Sequence, residues 1–272
     1  MKIQILGGVW LVKDTTELVL LKVNNRVATV EMNRPEAMNA LNGELIKGLI
    51  VKLKEISKLA DIDIIILTGN EKAFSAGGDI KSMLELSNDQ DFYSIMDDIN
   101  ELLITLYSLP KLTVSAISGA AAGLGLSLAL ATDYVIADVE SKLAMNFIGI
   151  GLIPDGGSHF FLEKRLGEVK AKKLIWEGKV MSASSALQIG LIDEVTEGEL
   201  SDSVNLKVSQ WLHSPIRAML QTKKIFAENN IAKLLQILEL EKLGQHKMRQ
   251  TKDHLEGIQA FVEKRKPNFI GK

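Results

Sequence analysis

The sequence predicts an α/β fold, in which short apolar strands alternate with amphipathic helices. Two observations support this class. Runs rich in Val and Ile, such as residues 62–68, are flanked by segments that carry apolar side chains at helical spacing. The order strand, helix, strand also recurs along the chain, which favours parallel strands joined by crossover helices. With 46% hydrophobic residues among 272, the chain can form a large core.

The first predicted element is a β-hairpin near the N-terminus. Residues 17–24 and 26–32 alternate apolar and polar side chains around Asn24 and Asn25. This pattern is typical of two antiparallel strands joined by a tight turn. We therefore expect the edge of a sheet to begin here.

Three rounds of helix and strand are predicted after the hairpin. The breaker Asn33-Arg34-Pro35 separates the hairpin from the first of these helices. Each helix is expected to lead into a short apolar strand that joins the same sheet. The predicted pairs are a helix over residues 41–60 with a strand over 63–68, a helix over 102–109 with a strand over 112–116, and a helix over 123–131 with a strand over 133–137.

The C-terminal part of the chain is predicted to be helical. After Val195 the pattern changes to helices with charged faces, expected over residues 200–212, 216–228 and 232–266. We therefore divide the chain into a core over residues 1–198 and a C-terminal helical region over residues 199–272. This region packs either on its own subunit or on a neighbouring one, and the sequence leaves both arrangements open.

Charge and composition exclude several function classes. A net charge of −2 and a pI near 6.1 give no general attraction to nucleic acid or to an anionic membrane, so neither partner is expected. Without cysteine there is no disulfide framework, and no His and carboxylate spacing indicates a metal site. Residues 1–13 make no convincing signal peptide, and the apolar run over residues 116–132 is interpreted as a buried helix. We expect a cytoplasmic protein.

A turn of small residues follows the predicted strand over residues 63–68. Ala76, Gly77 and Gly78 allow a ligand to approach the main chain, and Asp79 stands where a helix N-cap belongs. N–H groups beside a helix N-terminus suit an anion or a developing oxyanion. The alternative is a tight turn that simply favours glycine. The acidic stretch that follows, up to residue 100, is either a solvated face or a lid over such a site.

A second turn of the same character, Gly123-Leu124-Gly125, follows the predicted strand over residues 112–116. Two such turns can place two N–H donors around one oxygen atom. The fingerprint of a dinucleotide-binding Rossmann fold is not matched, because its third glycine and its acidic ribose ligand are missing.

Four segments, in this order, resemble the crotonase superfamily of enoyl-CoA hydratases and isomerases. They are residues 33–41, 72–80, 119–133 and 256–267, and the resemblance extends over residues 18–269. It implies a crotonase-like spiral of ββα units, with a C-terminal helical region that forms a homotrimer or a dimer of trimers. It also implies a small-molecule acyl-CoA substrate, with coenzyme A as the thioester carrier and no further cofactor.

The resemblance assigns the oxyanion hole to the N–H groups of Gly78 and Leu124. The two glutamates of the hydratases match Ser127 and Phe147 instead, and neither residue is a useful acid or base near neutral pH. One carboxylate, Asp155, stands in the Gly-rich segment where similar single-carboxylate isomerases carry Asp or Glu.

Asp155 is interpreted either as a turn residue or as the acid/base of an isomerase. One carboxylate suffices to move a double bond, because it can take a proton from C2 and return it to C4. Apolar Phe147, Ile148 and Ile150 favour the exclusion of water that isomerisation requires. His159, four residues on, is expected to be a packing or surface residue.

For coenzyme A itself, the resemblance points to the first turn and to the C-terminal helix. Main chain near the turn is expected to hold the adenine, and basic side chains are expected to meet the phosphates. The residues assigned to this role are Arg34, Ala73, Ala76, Gly77, Asp79, Ile80, Phe261 and Lys264.

The favoured function is therefore the shift of an enoyl-CoA double bond through a thioester enolate, with Asp155 as the acid/base. An enoyl-CoA hydratase with a non-standard site is one alternative, and a decarboxylase or thioester hydrolase of the same fold is another. A non-catalytic scaffold that binds acyl-CoA is the alternative outside enzymes.

Overall fold

The computed structural model describes residues 4–6, 9–11, 18–70, 72–84 and 88–272. The strands in this part of the chain are β1 (Gln4–Leu6), β2 (Val9–Leu11), β3 (Val19–Asn24), β4 (Val27–Met32), β5 (Ile64–Thr68), β6 (Ala73–Ser75), β7 (Leu112–Ile117), β8 (Ala120–Ala122), β9 (Tyr134–Asp138), β10 (Lys142–Ala144), β11 (Val180–Ser182) and β12 (Glu194–Thr196). The helices are α1 (Gly43–Ser57), α2 (Ile80–Leu84), α3 (Asp89–Tyr107), α4 (Leu124–Leu130), α5 (Ser158–Leu166), α6 (Glu168–Glu177), α7 (Ala183–Gln188), α8 (Leu200–Leu212), α9 (Ile216–Arg249) and α10 (Lys252–Glu263).

The strands form two sheets that share successive ββα units. The larger sheet has the order β1-β2-β3-β4-β5-β7-β9-β12, and the smaller sheet has the order β11-β10-β8-β6. From β4 to β12 all neighbours in the larger sheet are parallel. Strands β5, β7 and β9 lie in the larger sheet, whereas β6, β8 and β10 lie in the smaller one. The expected α/β spiral of ββα units is confirmed.

The predicted hairpin is confirmed, but the predicted sheet edge is wrong. Strands β3 and β4 pair antiparallel, and the turn places Asn25 at φ 51°, a left-handed conformation that Asn tolerates. Strands β1 and β2 extend the sheet beyond β3, so the hairpin is internal. Glu17, the first residue of the predicted hairpin, lies outside the described residues, as do parts of residues 1–13.

Helix α3 is longer than the sequence predicts. It begins where the side chain of Asn88 accepts a hydrogen bond from the N–H of Asp91, and it continues to Tyr107. Asp89 and Asp97 lie on its exposed side, which agrees with a solvated acidic face. Residues 85–87, within the predicted acidic stretch, lie outside the described residues.

The bounds of the C-terminal helices agree with the prediction for α8 but not for the helices that follow it. Helix α8 has the predicted bounds, but the break expected after residue 228 is wrong, because α9 runs without interruption. Asn230 fits into this helix by donating a hydrogen bond to the main-chain oxygen of Phe226. The break occurs instead at Thr251, whose hydroxyl accepts a hydrogen bond from the N–H of His254 and caps α10.

Both faces of the larger sheet are covered by apolar side chains. The main core lies on one face, where α1, α3 and the smaller sheet pack, and includes the fully buried Leu49, Phe74 and Leu102. On the other face, Ile64, Val114 and Ile136 pack with side chains of α8. No described helix is long and apolar enough to span a membrane.

Helices α9 and α10 pack on their own chain. Helix α9 lies against α3 and α5, and α10 lies against the 3₁₀ turn Phe147–Ile150. The C-terminal region therefore covers the part of the core that carries Asp155. Packing on a second subunit, and the division of the chain after residue 198, stay predictions.

Candidate active site

The turn between β6 and α2 carries the first predicted N–H donor. Gly77 has φ 102°, and a Cβ atom there would lie 2.7 Å from the oxygen of Ala122, so the position requires glycine. The N–H of Gly77 donates to Ser75 Oγ, and that of Asp79 donates to a main-chain oxygen. Within the described chain, the N–H of Gly78 donates to no protein acceptor. It is therefore free to donate to a ligand.

Asp79 caps α2, as predicted. Its Oδ1 accepts hydrogen bonds from the N–H groups of Lys81 at 3.0 Å and Ser82 at 3.3 Å, and its Oδ2 accepts one from Arg34 Nη1 at 2.6 Å. Burial raises the pKa of Asp79, but the Arg34 guanidinium and the helix N–H groups outweigh it and hold the pKa below its usual value. Arg34 thus has a carboxylate partner within the chain, and its contact with a phosphate stays a prediction.

The segment over residues 33–41 supports this turn through Asn39. This fully buried side chain donates from Nδ2 to the oxygen of Ala73 at 2.9 Å and accepts from the N–H of Arg34 at 2.8 Å. Its main-chain oxygen accepts a hydrogen bond from the Ser75 hydroxyl at 2.8 Å. Asn39 also adopts φ 54°, which Asn tolerates better than most residues. The segment therefore fixes the position of β6 and the turn that follows it.

The turn between β8 and α4 carries the second predicted donor. The N–H of Gly123 donates to the oxygen of Ala144 at 2.9 Å, whereas the N–H of Leu124, at the first position of α4, has no protein acceptor among the described residues. A Cβ atom at Gly125 would lie 2.6 Å from Ser75 Cβ. Glycine at this position therefore allows α4 to begin directly against β6.

The structure brings the two turns into contact. Strands β6 and β8 are parallel neighbours, so the turns that follow them lie at the same end of the smaller sheet. A Cβ atom at Gly77 would lie 3.7 Å from Gly123 Cα. The N–H groups of Gly78 and Leu124 therefore belong to adjacent turns, and their joint action on one oxygen atom stays a prediction.

The loop before α5 places Asp155 beside the second turn. A Cβ atom at Gly156 would lie 2.5 Å from Leu124 Cδ1 and 3.3 Å from Ser127 Cβ, so glycine allows the loop to lie on α4. The Ser127 hydroxyl donates to the main-chain oxygen of Asp155 at 3.1 Å and contacts the Ser158 hydroxyl at 2.5 Å. The three residues predicted to be catalytic thus lie in one region.

Asp155 is a buried carboxyl without a cationic partner among the described residues. Its Oδ2 accepts a hydrogen bond from Gln245 Nε2 at 3.1 Å, and its buried Oδ1 has no hydrogen-bond partner in this part of the chain. Burial raises the pKa of Asp155 to about 8, the charge of Glu241 adds to this effect, and the hydrogen bond from Gln245 opposes it. A carboxyl group with a pKa near neutral pH suits proton transfer in both directions.

The two positions that hold glutamate in hydratases supply no second carboxylate here. Ser127 is fully buried and bonded to the loop, and the half-buried Phe147 places its ring 3.6 Å from where a Cβ atom at Gly123 would lie. Phe147 therefore adds an apolar surface to the second turn. The Ile148 side chain lies at the end of α6, and the main chain of Ile150 lies against α10.

His159, at the start of α5, contacts Glu241 and is partly exposed. Its Nδ1 lies 2.7 Å from Glu241 Oε1, with 37% of the side chain exposed. This position agrees with the expected packing or surface role. Among the residues that the structure describes, no group of three or more His, Cys, Asp and Glu side chains is placed to hold a metal ion.

The residues predicted to bind coenzyme A fall into two regions. Most of them lie in or directly after β6, where the N–H of Ala76 donates to a main-chain oxygen and Ile80 begins α2. Phe261 and Lys264 lie at the end of α10, exposed to solvent, and Lys264 ends the helix at φ 53°. The first region comprises Arg34, Ala73, Ala76, Gly77, Asp79 and Ile80. Contact of either region with coenzyme A stays a prediction.

Sequence reasoning missed Asn39, Glu241 and Gln245. The last two had a signal in the periodicity of α9: Leu234 and Leu238 begin a buried stripe that continues, at the same helical spacing, with Glu241 and Gln245. Polar residues on an otherwise apolar stripe are costly unless they have partners. They indicate that α9 covers a polar site.

Comparisons with known proteins agree with this geometry. The enoyl-CoA hydratase/isomerase family matches residues 22–272. A Bacillus subtilis (strain 168) protein, YhaR, whose name assigns it to these enzymes, is 47% identical over 253 residues, which are 93% of this chain and 99% of that protein. The 1,2-epoxyphenylacetyl-CoA isomerase of Escherichia coli (strain K12) is 33% identical over 94% of this chain and 99% of its own length.

Solved structures give the same result for the fold. An enoyl-CoA hydratase from Mycobacterium avium subsp. paratuberculosis K-10 superposes with a TM-score of 0.84 at 27% identity, over 93% of this chain and 99% of that one. The expected resemblance is therefore confirmed over nearly the whole chain. The protein belongs to the enoyl-CoA hydratase/isomerase family.

Proposed function

We propose that this protein is an enoyl-CoA isomerase that moves a double bond along an acyl chain held as a coenzyme A thioester. The observation that carries the proposal is the buried carboxyl group of Asp155, whose Oδ1 has no hydrogen-bond partner among the described residues. It lies beside the turn that carries the Leu124 N–H. The relative from Escherichia coli is itself named an isomerase of a CoA thioester, which supports isomerisation over hydration.

The proposed reaction is a proton transfer between two carbons of the acyl chain. Ionised Asp155 removes a proton from C2 of a 3-enoyl thioester, and the electron pair of that C–H bond extends into a dienolate with negative charge on the thioester oxygen. The N–H groups of Gly78 and Leu124 stabilise this oxygen, and one such donor typically contributes about 3–4 kcal/mol. Asp155 then returns the proton to C4, and the product is the 2-enoyl thioester.

The surroundings of Asp155 suit isomerisation better than hydration. A hydratase must hold and activate water, and the two positions that do this with glutamate carry Ser127 and Phe147 here. The Ser127 hydroxyl is bonded to the loop of Asp155, and the Phe147 ring lies against the second turn. The apolar ring of Phe147 at the second turn favours the exclusion of water from the dienolate.

We also propose that coenzyme A is the substrate's carrier and that no separate cofactor takes part, because the proton transfer requires none. Main chain at the first turn and basic side chains at Arg34 and Lys264 are proposed to hold the carrier. Assembly into trimers is proposed from the family, with exposed apolar residues on α9 and α10, such as Leu243 and Phe261, as candidates for burial.

Two substrates distinguish the proposal from its alternatives. Incubation with a 3-enoyl-CoA should produce the conjugated 2-enoyl thioester, measured by its ultraviolet absorbance, whereas incubation with a 2-trans-enoyl-CoA should give little hydration. Asp155→Asn, which keeps the shape of the side chain, should lower isomerisation about a hundredfold to ten-thousandfold. The exposed Asp61→Asn is the matched control and should leave the rate unchanged.

Each contrary result favours a different alternative. Full isomerase activity in Asp155→Asn would show that another group carries the proton. Rapid hydration of the 2-enoyl thioester would favour a hydratase with a non-standard site. Binding of acyl-CoA without turnover of either substrate would favour a scaffold.

A further inference from the structure

Two buried polar residues of α9 hold the loop that carries Asp155. Glu241 and Gln245 are each 2% exposed and lie one helical turn apart on the same face of the helix. Between them, Gly244 allows close contact, because a Cβ atom there would lie 2.4 Å from Ile153 Cδ1. Helix α9 therefore packs directly on the loop.

Gln245 bonds to the loop before and at Asp155. Its Nε2 donates to the main-chain oxygen of Ile153 at 2.6 Å and to Asp155 Oδ2 at 3.1 Å. These two contacts fix one carboxylate oxygen of Asp155. The other oxygen, Oδ1, has no hydrogen-bond partner in the described chain.

Glu241 bonds to the loop after Asp155. Its carboxylate accepts hydrogen bonds from the N–H of Gly157 at 2.7 Å and from the N–H of His159 at 3.0 Å. Nδ1 of the partly exposed His159 ring lies 2.7 Å from Oε1 of the same carboxylate. Glu241 and Gln245 thus hold the loop on both sides of Asp155.

Glu241 and Gln245 have opposite electrostatic effects on the pKa of Asp155. The charge of Glu241 disfavours a second negative charge nearby, whereas a hydrogen bond donated by Gln245 favours the ionised carboxylate. Burial raises the pKa of Asp155 most, Glu241 raises it further and Gln245 lowers it. The charged group that raises this pKa is Glu241, and the ring of His159 contacts the Glu241 carboxylate.

We propose that Glu241 and Gln245 are positioning residues that act through Asp155. Gln245 holds Oδ2 so that Oδ1 alone exchanges the proton with the substrate, and Glu241 fixes the loop while setting how strongly Asp155 holds that proton. The inference rests on the proposed isomerase function for its catalytic meaning. Neither residue needs to touch the substrate.

The test is a direct titration of the Asp155 carboxyl group in the full-length protein. Aspartate labelled with ¹³C at the carboxyl carbon gives a resonance for each Asp, and the one missing in Asp155→Asn is that of Asp155. Gln245→Met removes the donor at similar volume and should raise the titration midpoint, whereas Glu241→Gln removes the charge and should lower it. Each shift should be about one pH unit.

Two exposed residues of the same helix supply matched controls. Gln236→Met and Glu239→Gln make the same chemical changes away from the loop and should leave the midpoint of Asp155 unchanged. Shifts of both test variants in the same direction, or no shift beyond that of the controls, would overturn the proposal. A merely structural role predicts no opposed pair of shifts.

A further variant keeps the test decisive if Glu241→Gln does not fold. Gln245→Leu also removes the donor that bonds to Asp155 Oδ2, so the midpoint of Asp155 should rise, and an unchanged or lower midpoint would overturn the proposal.

Activity measurements separate this inference from the proposed function. In an active isomerase, the rising limb of kcat/KM against pH should move with each midpoint, because that limb reports the base of the free enzyme. Opposed shifts in the titration without any isomerase turnover would refute the proposed function alone. Isomerase activity with an unmoved titration would refute this inference alone.

Discussion

Asp79 and Asp155 are almost equally buried, with 7% and 8% exposure, yet their surroundings give them opposite chemistry. Asp79 accepts hydrogen bonds from the Arg34 guanidinium and from helix N–H groups, which outweigh its burial and hold its pKa below the usual value. Asp155 has a neutral amide as its side-chain partner and a second carboxylate nearby, and burial raises its pKa to about 8. Burial alone therefore does not identify a reactive carboxyl group.

The difference separates a structural aspartate from a proposed catalytic one. The charge of Asp79 is matched within the chain and caps α2, so it fixes the turn that carries the Gly78 N–H. Asp155 is held in place by Gln245 but lacks an opposite charge, so its proton can be exchanged. One aspartate fixes the turn that carries the proposed main-chain donor, and the other is the proposed proton carrier.

The difference between Asp79 and Asp155 should have its largest effect on how the free energy of unfolding depends on pH. Between pH 4 and 8 the folded chain keeps the proton of Asp155, whereas the unfolded chain has lost it, so the free energy of unfolding should fall as pH rises through this window. The fall should reach several kcal/mol, at about 1.4 kcal/mol for each unit of raised pKa. Urea unfolding at several pH values, compared between wild type and Asp155→Asn, isolates this contribution.

Asp79 should show the opposite dependence. Its pKa is lowered, so its contribution to stability is present above the usual aspartate pKa and is lost as pH falls below it. Asp155→Asn should thus flatten the curve above pH 4 and leave the acid limb unchanged. Equal slopes for wild type and Asp155→Asn between pH 4 and 8 would contradict the raised pKa.

A smaller effect is expected from Arg34→Met, which removes the cation from Asp79. The variant leaves a buried carboxylate without its charged partner, and the loss of stability should be about 2 kcal/mol because both side chains keep some contact with solvent. Urea unfolding measures it. Lys22→Met is the control, since the Lys22 side chain is 51% exposed and its pair with Glu31 should contribute little stability. If Arg34→Met had the same free energy of unfolding as the wild type, the ion pair between Arg34 and Asp79 would not stabilise the turn.

The sequence predicts the two turns of small residues because local signals encode them, whereas the donor roles of Gly78 and Leu124 stay predictions. Small residues after an apolar strand indicate a turn with accessible N–H groups, and the structure places the turns of Gly78 and Leu124 in contact through the pairing of β6 with β8. The N-cap role of Asp79 is likewise local, since its partners are the next two N–H groups of the helix start.

The surroundings of Asp155 are not encoded locally. Gln245 and Glu241 lie more than 80 positions further along the chain, and only the packing of α9 on the loop brings them to it. The buried stripe of α9 lies within the helix predicted over residues 232–266, but its two polar members have no local partner that links them to Asp155. A continuous stripe that changes from Leu238 to Glu241 is the signal that periodicity offered.

The most direct test of the account follows the proton itself. A 3-enoyl-CoA that carries deuterium at C2 is isomerised in ordinary water, and the product of early turnover is analysed by NMR and mass spectrometry. If Asp155 alone carries the proton, part of the deuterium should appear at C4 of the 2-enoyl product. A product whose new hydrogen at C4 always comes from water would contradict transfer by a single buried carboxyl group.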